Sequence, residues 1–155
     1  MQFLDSFKPE LTISSPGRIN FIGEHTDYNM GYVLPTAIVN KITFKLSKNG
    51  SLNKCNVYSI GMAGFSFDLN AIAISYTEWH NYILGVVNEI SQLTSKVGGF
   101  VCIIESDIPL GSGFSSSAAM ACGMAFGLYE LFDLRLYKLS LVALSQRAEH
   151  SYVGT

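Results

Sequence analysis

Arg18, Asn20, Glu24, His25 and Asp27 bring a guanidinium, an amide, two carboxylates and an imidazole into one short stretch, Gly17-Arg18-Ile19-Asn20-Phe21-Ile22-Gly23-Glu24-His25-Thr26-Asp27-Tyr28. Neighbouring carboxylates accept hydrogen bonds from the hydroxyls of a sugar. An imidazole donates or accepts, and an arginine neutralises a phosphoryl group in transfer. A polyhydroxylated ligand therefore fits Glu24, His25 and Asp27, with Arg18 beside a phosphate. Two rivals remain open on residue types alone. Glu-His-x-Asp offers metal ligands, although a second His or Cys is missing nearby. A salt-bridged loop with Arg18 paired to Glu24 needs no ligand.

Pro109-Leu110-Gly111-Ser112-Gly113-Phe114-Ser115-Ser116-Ser117-Ala118-Ala119 is a glycine-serine turn opening a helix. Gly111 and Gly113 permit positive φ and close backbone approach to a ligand. Ser112, Ser115, Ser116 and Ser117 fall where unpaired N–H groups and the positive end of the helix dipole attract anions. A nucleotide triphosphate suits this position, with a serine hydroxyl completing a Mg²⁺ shell. The plainer reading is a glycine turn with a serine helix cap. No Lys follows the second glycine and no third glycine is present, so neither a Walker loop nor a dinucleotide fingerprint applies.

These groups need elements to hold them. Leu11 to Ser14 and Arg18 to Ile22 read as short strands around a Pro16-Gly17 turn, with a second turn at Asn29-Met30-Gly31. Tyr32 to Leu34, Ile38 to Leu46, Asn56 to Ile60 and Phe65 to Leu69 continue the strand pattern. Trp79, Tyr82, Ile83, Val86, Val87 and Ile90 share a face of a helix from about Glu78 to Leu93. Phe100 to Glu105 reads as a buried strand, and helices follow over about 115–132 and 138–152. Strands first and helices later predict an α+β layer rather than a doubly wound sheet. By position Trp79 is a core residue, although an indole at a pocket edge also stacks on bases. His80 reads as a surface residue without a role, and Glu149 with His150 as a solvated helix face.

Bulk composition narrows the function classes. A chain of 155 residues suits one domain, and 48% apolar with 14% charged residues is far from the disordered regime. A net charge of −2 supplies no basic stripe for nucleic acid. The N-terminus lacks a signal-peptide pattern, and no apolar run reaches the roughly 18 residues of a membrane span. Cys55, Cys102 and Cys122 fit buried thiols in a reducing cytoplasm. A cytoplasmic enzyme domain is the expectation, and the abrupt end at Gly154-Thr155 suggests an incomplete chain.

The assembled motifs resemble the galactokinase branch of the GHMP small-molecule kinases. Pro16 to Asn29, followed by Gly31 and Val33-Leu34-Pro35, is similar to that family's signature. Phe21 is bulkier than its usual residue there. Trp79-His80-Asn81-Tyr82 with Gly85-Val86 resembles its tryptophan motif, Pro109 to Ala119 its phosphate loop, and Ala148-Glu149-His150 with Gly154 the start of its third block. Phe114 stands where Leu or Met is commoner, and Ala121 replaces a frequent Glu.

The resemblance implies the GHMP-kinase N-terminal domain over residues 1–155, a mixed or antiparallel sheet packed against helices, with a C-terminal domain absent. It implies transfer of the ATP γ-phosphate to the C1 hydroxyl of galactose or a close aldose. Arg18 would be catalytic, Glu24, His25 and Asp27 would hold the sugar, and Ser117 with Glu149 would hold Mg²⁺. Trp79, Pro109, Gly111, Ser112, Gly113, Ser115, Ser116 and Ser117 would bind ATP. The family's third block continues to Gly-x-Met-Asp, whose Asp is the expected base, so this chain is expected to be inactive alone and the full-length protein monomeric. A catalytically silent sugar and nucleotide sensor is the second expectation. A truncated product that folds poorly is the third.

Overall fold

Leu11–Asn20 (β1) forms one strand, not the two that the Pro16-Gly17 pair suggests. Its register against Pro35–Lys48 (β2) slips between Pro16 and Arg18, so the pair makes a bulge within the ladder. Proline lacks an N–H and glycine lacks a Cβ, which makes a bulge as natural a place for them as a turn. Beyond the ladder, Phe21 N–H donates to the Leu34 carbonyl at 3.0 Å and Leu34 N–H to the Ile22 carbonyl at 3.1 Å. Leu34 therefore extends the pairing beyond the assigned strand, while Tyr32 and Val33, expected to be strand residues, are in no strand. The computed structural model describes residues 2–22, 30–109 and 111–154. Glu24, His25 and Asp27 thus lie outside the described residues.

The other strands are Lys54–Ser59 (β3), Phe65–Asp68 (β4) and Phe100–Ser106 (β5). They complete a five-stranded sheet in the order β1-β2-β5-β3-β4. Only β3 and β5 run parallel, so the sheet is mixed, as the α+β expectation allows. Gln2–Ser6 (α1), Glu78–Leu93 (α2), Ser116–Leu131 (α3) and Lys138–Ala148 (α4) are helical, and a π-helical turn, Glu149–Val153, follows α4.

Alternation in β2 buries Ile42, Phe44 and Leu46 on one face, and Phe100, Cys102 and Ile104 of β5 join them under α2 and α3. Ile103 points the other way, between Lys45 and Tyr58 of the flanking strands. Phe3 of α1 stands 5.9 Å from the Tyr58 ring on that side. No apolar pattern marks α1, because five residues are too few to show a helical period.

Two glycines set how closely α3 sits on the sheet. A Cβ on Gly123 would stand 2.2 Å from Phe44 Cε2 and 2.8 Å from Ser15 Cβ, and one on Gly127 would stand 2.8 Å from Leu46 Cδ1. This tight seat fixes the position of the helix start and of the glycine-serine turn leading into it.

Candidate active site

The bulge at Gly17 is where the two polar motifs meet. Arg18 N–H donates to the Phe114 carbonyl at 2.9 Å. A Cβ on Gly17 would stand 3.0 Å from that same oxygen and 3.1 Å from Ile38 Cδ1. The glycine thus lets the 109–115 turn dock directly on β1.

That turn is shaped by left-handed backbone at Gly111, Gly113 and Ser115, with φ of 70°, 72° and 54°. Only glycine visits this region without strain, and nothing lies within 4 Å of a Cβ built on Gly111 or Gly113. Both therefore face open space that a ligand can enter. Ser112 Oγ donates to the Pro109 carbonyl at 2.6 Å and tightens the loop. Ser115 precedes α3 but makes no side-chain capping bond. The simple helix-cap reading fails here, and the first-turn N–H groups of α3 keep their capacity to bind an anion.

Ser116 and Ser117 open onto a cavity of about 410 Å³, whose walls include Trp79 and Tyr82 of α2, Ile104 and Ser106 of β5, and Met62. Its size falls in the range of small-molecule pockets. Trp79 is half-buried at this edge, 5.2 Å from Phe65 in an edge-on contact. Its position on the helix allowed either a core or a pocket reading, and the indole serves both.

His80 departs from its expected surface role. Its ring stacks on Phe65 at 3.8 Å, and Nδ1 lies 3.0 Å from Ser75 Oγ. Burial holds its pKa below the ordinary imidazole value. Asn81, also without an assigned role, is buried and clamps Ser75 twice. Its Oδ1 accepts from Ser75 N–H at 2.7 Å and its Nδ2 donates to the Ser75 carbonyl at 3.0 Å. The helical pattern gave no signal for either, since both partners lie in the preceding loop or on β4.

Glu149 is half-buried in the π turn, not on a solvated helix face. Burial raises its carboxyl pKa, and the nearby Arg18 guanidinium opposes that rise. Burial raises the Cys122 thiol pKa as well; a hydrogen bond to Ser145 lowers it, Glu149 raises it and Arg18 lowers it. The Tyr82 hydroxyl is raised by burial, then by Glu78 and Glu149. Arg18, Cys122, Tyr82 and Glu149 therefore share one electrostatic neighbourhood. Among the described residues, ion pairs join Lys45 to Glu105, Lys54 to Asp68 and Arg147 to Glu89, and none joins Arg18 to Glu149.

Asn20 ends β1 with a buried Oδ1 that lacks a hydrogen-bond donor. Such an acceptor costs about 1–3 kcal/mol unless a partner arrives, and a hydroxyl-bearing ligand would supply one. Among the described residues no three His, Cys, Asp or Glu side chains gather as a metal cage, and no helix is long and apolar enough to cross a membrane. Cys55 and Cys102 are buried free thiols, and Cys122 is half-buried.

Two family models match this chain: the galactokinase galactose-binding signature over residues 1–48 and the GHMP kinases N terminal domain over residues 81–155. The chain is 36% identical to a galactokinase of Thermosipho africanus, over 93% of its own length and 40% of that protein. It is 41% identical to a galactokinase of Clostridium tetani, over 90% of its length and 36% of that protein. The crystal structure of Lactococcus lactis galactokinase complexed with galactose superposes with a TM-score of 0.87 at 34% identity, covering 99% of this chain and 42% of that one. The chain thus spans well under half the length of these relatives. Both family matches and this superposition agree: the chain belongs to the galactokinase branch of the GHMP kinase family and carries its N-terminal domain fold.

Proposed function

We propose that this chain is the sugar- and nucleotide-binding portion of a galactokinase, which transfers the ATP γ-phosphate to the C1 hydroxyl of galactose or a close aldose. One observation carries the reading: the Arg18 N–H bond to Phe114, which ties the arginine of the first motif to the phosphate-loop backbone. A sugar held by Glu24, His25 and Asp27 would then lie within a few residues of the γ-phosphate.

Each residue has a distinct task. Gly111 and Gly113 leave room for the phosphates, and the Ser116 and Ser117 N–H groups with the hydroxyls of Ser112, Ser115, Ser116 and Ser117 bond their oxygens. Pro109 starts the loop, and Trp79 borders the base. Arg18 stabilises charge on the phosphoryl group as it moves, the main requirement of a reaction governed by positioning and electrostatics.

Ser117 and Glu149 would supply hard oxygen ligands of the kind Mg²⁺ prefers, alongside waters and phosphate oxygens. When bound, that ion would neutralise charge between the β- and γ-phosphates. The hydroxyl proton needs a base that we assign to no residue of this chain. The chain alone is expected to turn over near background, and a protein extended to the length of its relatives to be active in the cytoplasm as a monomer.

A coupled assay with galactose, ATP and Mg²⁺ tests both statements. Robust turnover by the chain alone would place the base among these residues and refute the division of labour. An extended protein that binds both ligands without turnover would favour the silent sensor.

A further inference from the structure

Tyr82, Gly85 and Glu89 follow one another at three- and four-residue spacing, so they lie on one side of α2. Gly85 and Glu89 meet the end of α4. Glu89 accepts from Arg147 Nε at 2.9 Å. A Cβ on Gly85 would stand 3.0 Å from the Ala148 carbonyl oxygen and 3.1 Å from Tyr152 Cβ and Cγ. Here α2 and the end of α4 pack backbone against backbone. Tyr82 feels the charge of Glu149.

The chain abandons α-helical hydrogen bonding at this crossing. Glu149–Val153 widens into a π turn closed by Gly154 N–H donating to the Glu149 carbonyl at 3.0 Å. Successive α-helical residues are about 100° apart around the axis, so a turn with one extra residue redirects the side chains it carries. Such turns are uncommon and recur at functional sites, because surrounding packing must hold them. Any side chain at position 85 would press on the Ala148 carbonyl and on Tyr152, both belonging to or bordering the widened turn.

We propose that Gly85 holds the π turn in place, with the Glu89–Arg147 pair as a second anchor, and that both are positioning residues which fix the direction of the Glu149 carboxylate. The inference rests on the metal-binding role given to Glu149 above. It adds that the tryptophan-motif helix controls metal affinity through contacts made outside the ligand cavity.

Gly85→Ala tests this directly. Alanine favours the helix intrinsically, so a loss cannot come from a weakened α2, and thermal melting would show whether the variant folds. Calorimetry would measure ATP binding to the whole chain once with Mg²⁺ and once with EDTA. The gain in affinity from Mg²⁺ should shrink by about 10-fold, the scale seen when supports of metal ligands are removed, while binding in EDTA changes by less than about 2-fold. Glu89→Asp keeps the charge but shortens its reach to Arg147. It should reduce the Mg²⁺ gain in the same direction by a smaller factor, and it carries the test if Gly85→Ala does not fold.

Equal losses with and without Mg²⁺ would mark a general packing role and overturn the proposal, as would an unchanged Mg²⁺ gain in both variants. A wild-type chain whose ATP binding ignores Mg²⁺ would remove the metal role of Glu149. Crystal structures would then decide the positioning claim alone. A π turn that persists in Gly85→Ala overturns it, and one that reverts or shifts supports it.

Discussion

Replacing Gly123 with alanine should destabilise the chain even though alanine is the better helix former. The new methyl would lie 2.2 Å from Phe44 Cε2 and 2.8 Å from Ser15 Cβ. Phe44 is fully buried, so its ring cannot swing away, and α3 or β2 must move instead. Inserting a methyl into a packed core costs about 1–3 kcal/mol, against about 1 kcal/mol of helix propensity gained. At 2.2 Å the overlap falls in the upper part of that range, about 2–3 kcal/mol. The net loss is therefore about 1–2 kcal/mol, and a domain of this size loses about 2–4 °C in Tm per kcal/mol. Thermal melting followed by circular dichroism should show a drop of about 2–8 °C. Gly127→Ala is the internal control: its methyl would meet a single close atom, Leu46 Cδ1 at 2.8 Å, rather than several down to 2.2 Å, so its Tm should change less. Phe44→Leu in the Gly123→Ala background should give less than the sum of the two single losses, because the smaller side chain relieves the clash. A Gly123→Ala chain as stable as wild type, or strict additivity in the double variant, would refute the account of how α3 is seated.

In the extended protein, Arg18→Ala should lower kcat by about 100-fold or more through lost transition-state stabilisation; an unchanged kcat in steady-state assays would remove its catalytic role. Asp27→Ala should weaken galactose binding more than ATP binding, and equal losses by calorimetry would argue against the sugar assignment. Burial pushes the Cys55 thiol up to about 11 and raises Cys102 as well. Above about pH 9 the unfolded thiols lose protons that the folded ones keep, so stability should fall as pH rises, by up to about 1.4 kcal/mol per pH unit for each thiol. Urea midpoints from pH 8 to 10.5 should show this slope, and it should flatten in a Cys55→Val, Cys102→Val variant; an identical slope there would refute it.

Local pattern decided some elements and not others. α2 occupies Glu78–Leu93 as its apolar spacing predicts, because one strong amphipathic stripe faces one core. At Pro16-Gly17 the same dipeptide serves a turn or a bulge, and the choice falls to a distant partner, the Phe114 carbonyl that fills the space beside Gly17. The π turn is equally silent in sequence. Ala148-Glu149-His150 continues a good helix, and the turn widens where α2 comes close at Gly85, a contact far away in sequence. His80 repeats the lesson, since its ring is covered by Phe65, a residue of a strand edge that no helical period can foresee.

Residue chemistry made the site legible as two groups, and tertiary structure supplied the relation between them. A guanidinium and a half-buried carboxylate that could pair would normally do so, yet Arg18 and Glu149 influence each other without an ion pair. Burial disfavours the charged form of Glu149, and the attraction of Arg18 offsets that only in part. An arrangement selected for stability alone would close the gap or place an apolar side chain at position 149. Keeping the two charges apart, with unpaired Asn20 Oδ1 on the same strand as Arg18 and uncapped N–H groups at the start of α3, leaves several polar groups waiting on something that carries charge of both kinds. In the proposed reading the phosphate would meet Arg18 and the α3 N–H groups, its divalent cation would meet Glu149, and a sugar hydroxyl would supply the donor that Asn20 Oδ1 lacks among the described residues. This joint demand supports the proposal of a nucleotide with its metal, because a sugar alone would leave the arginine and the carboxylate unsatisfied.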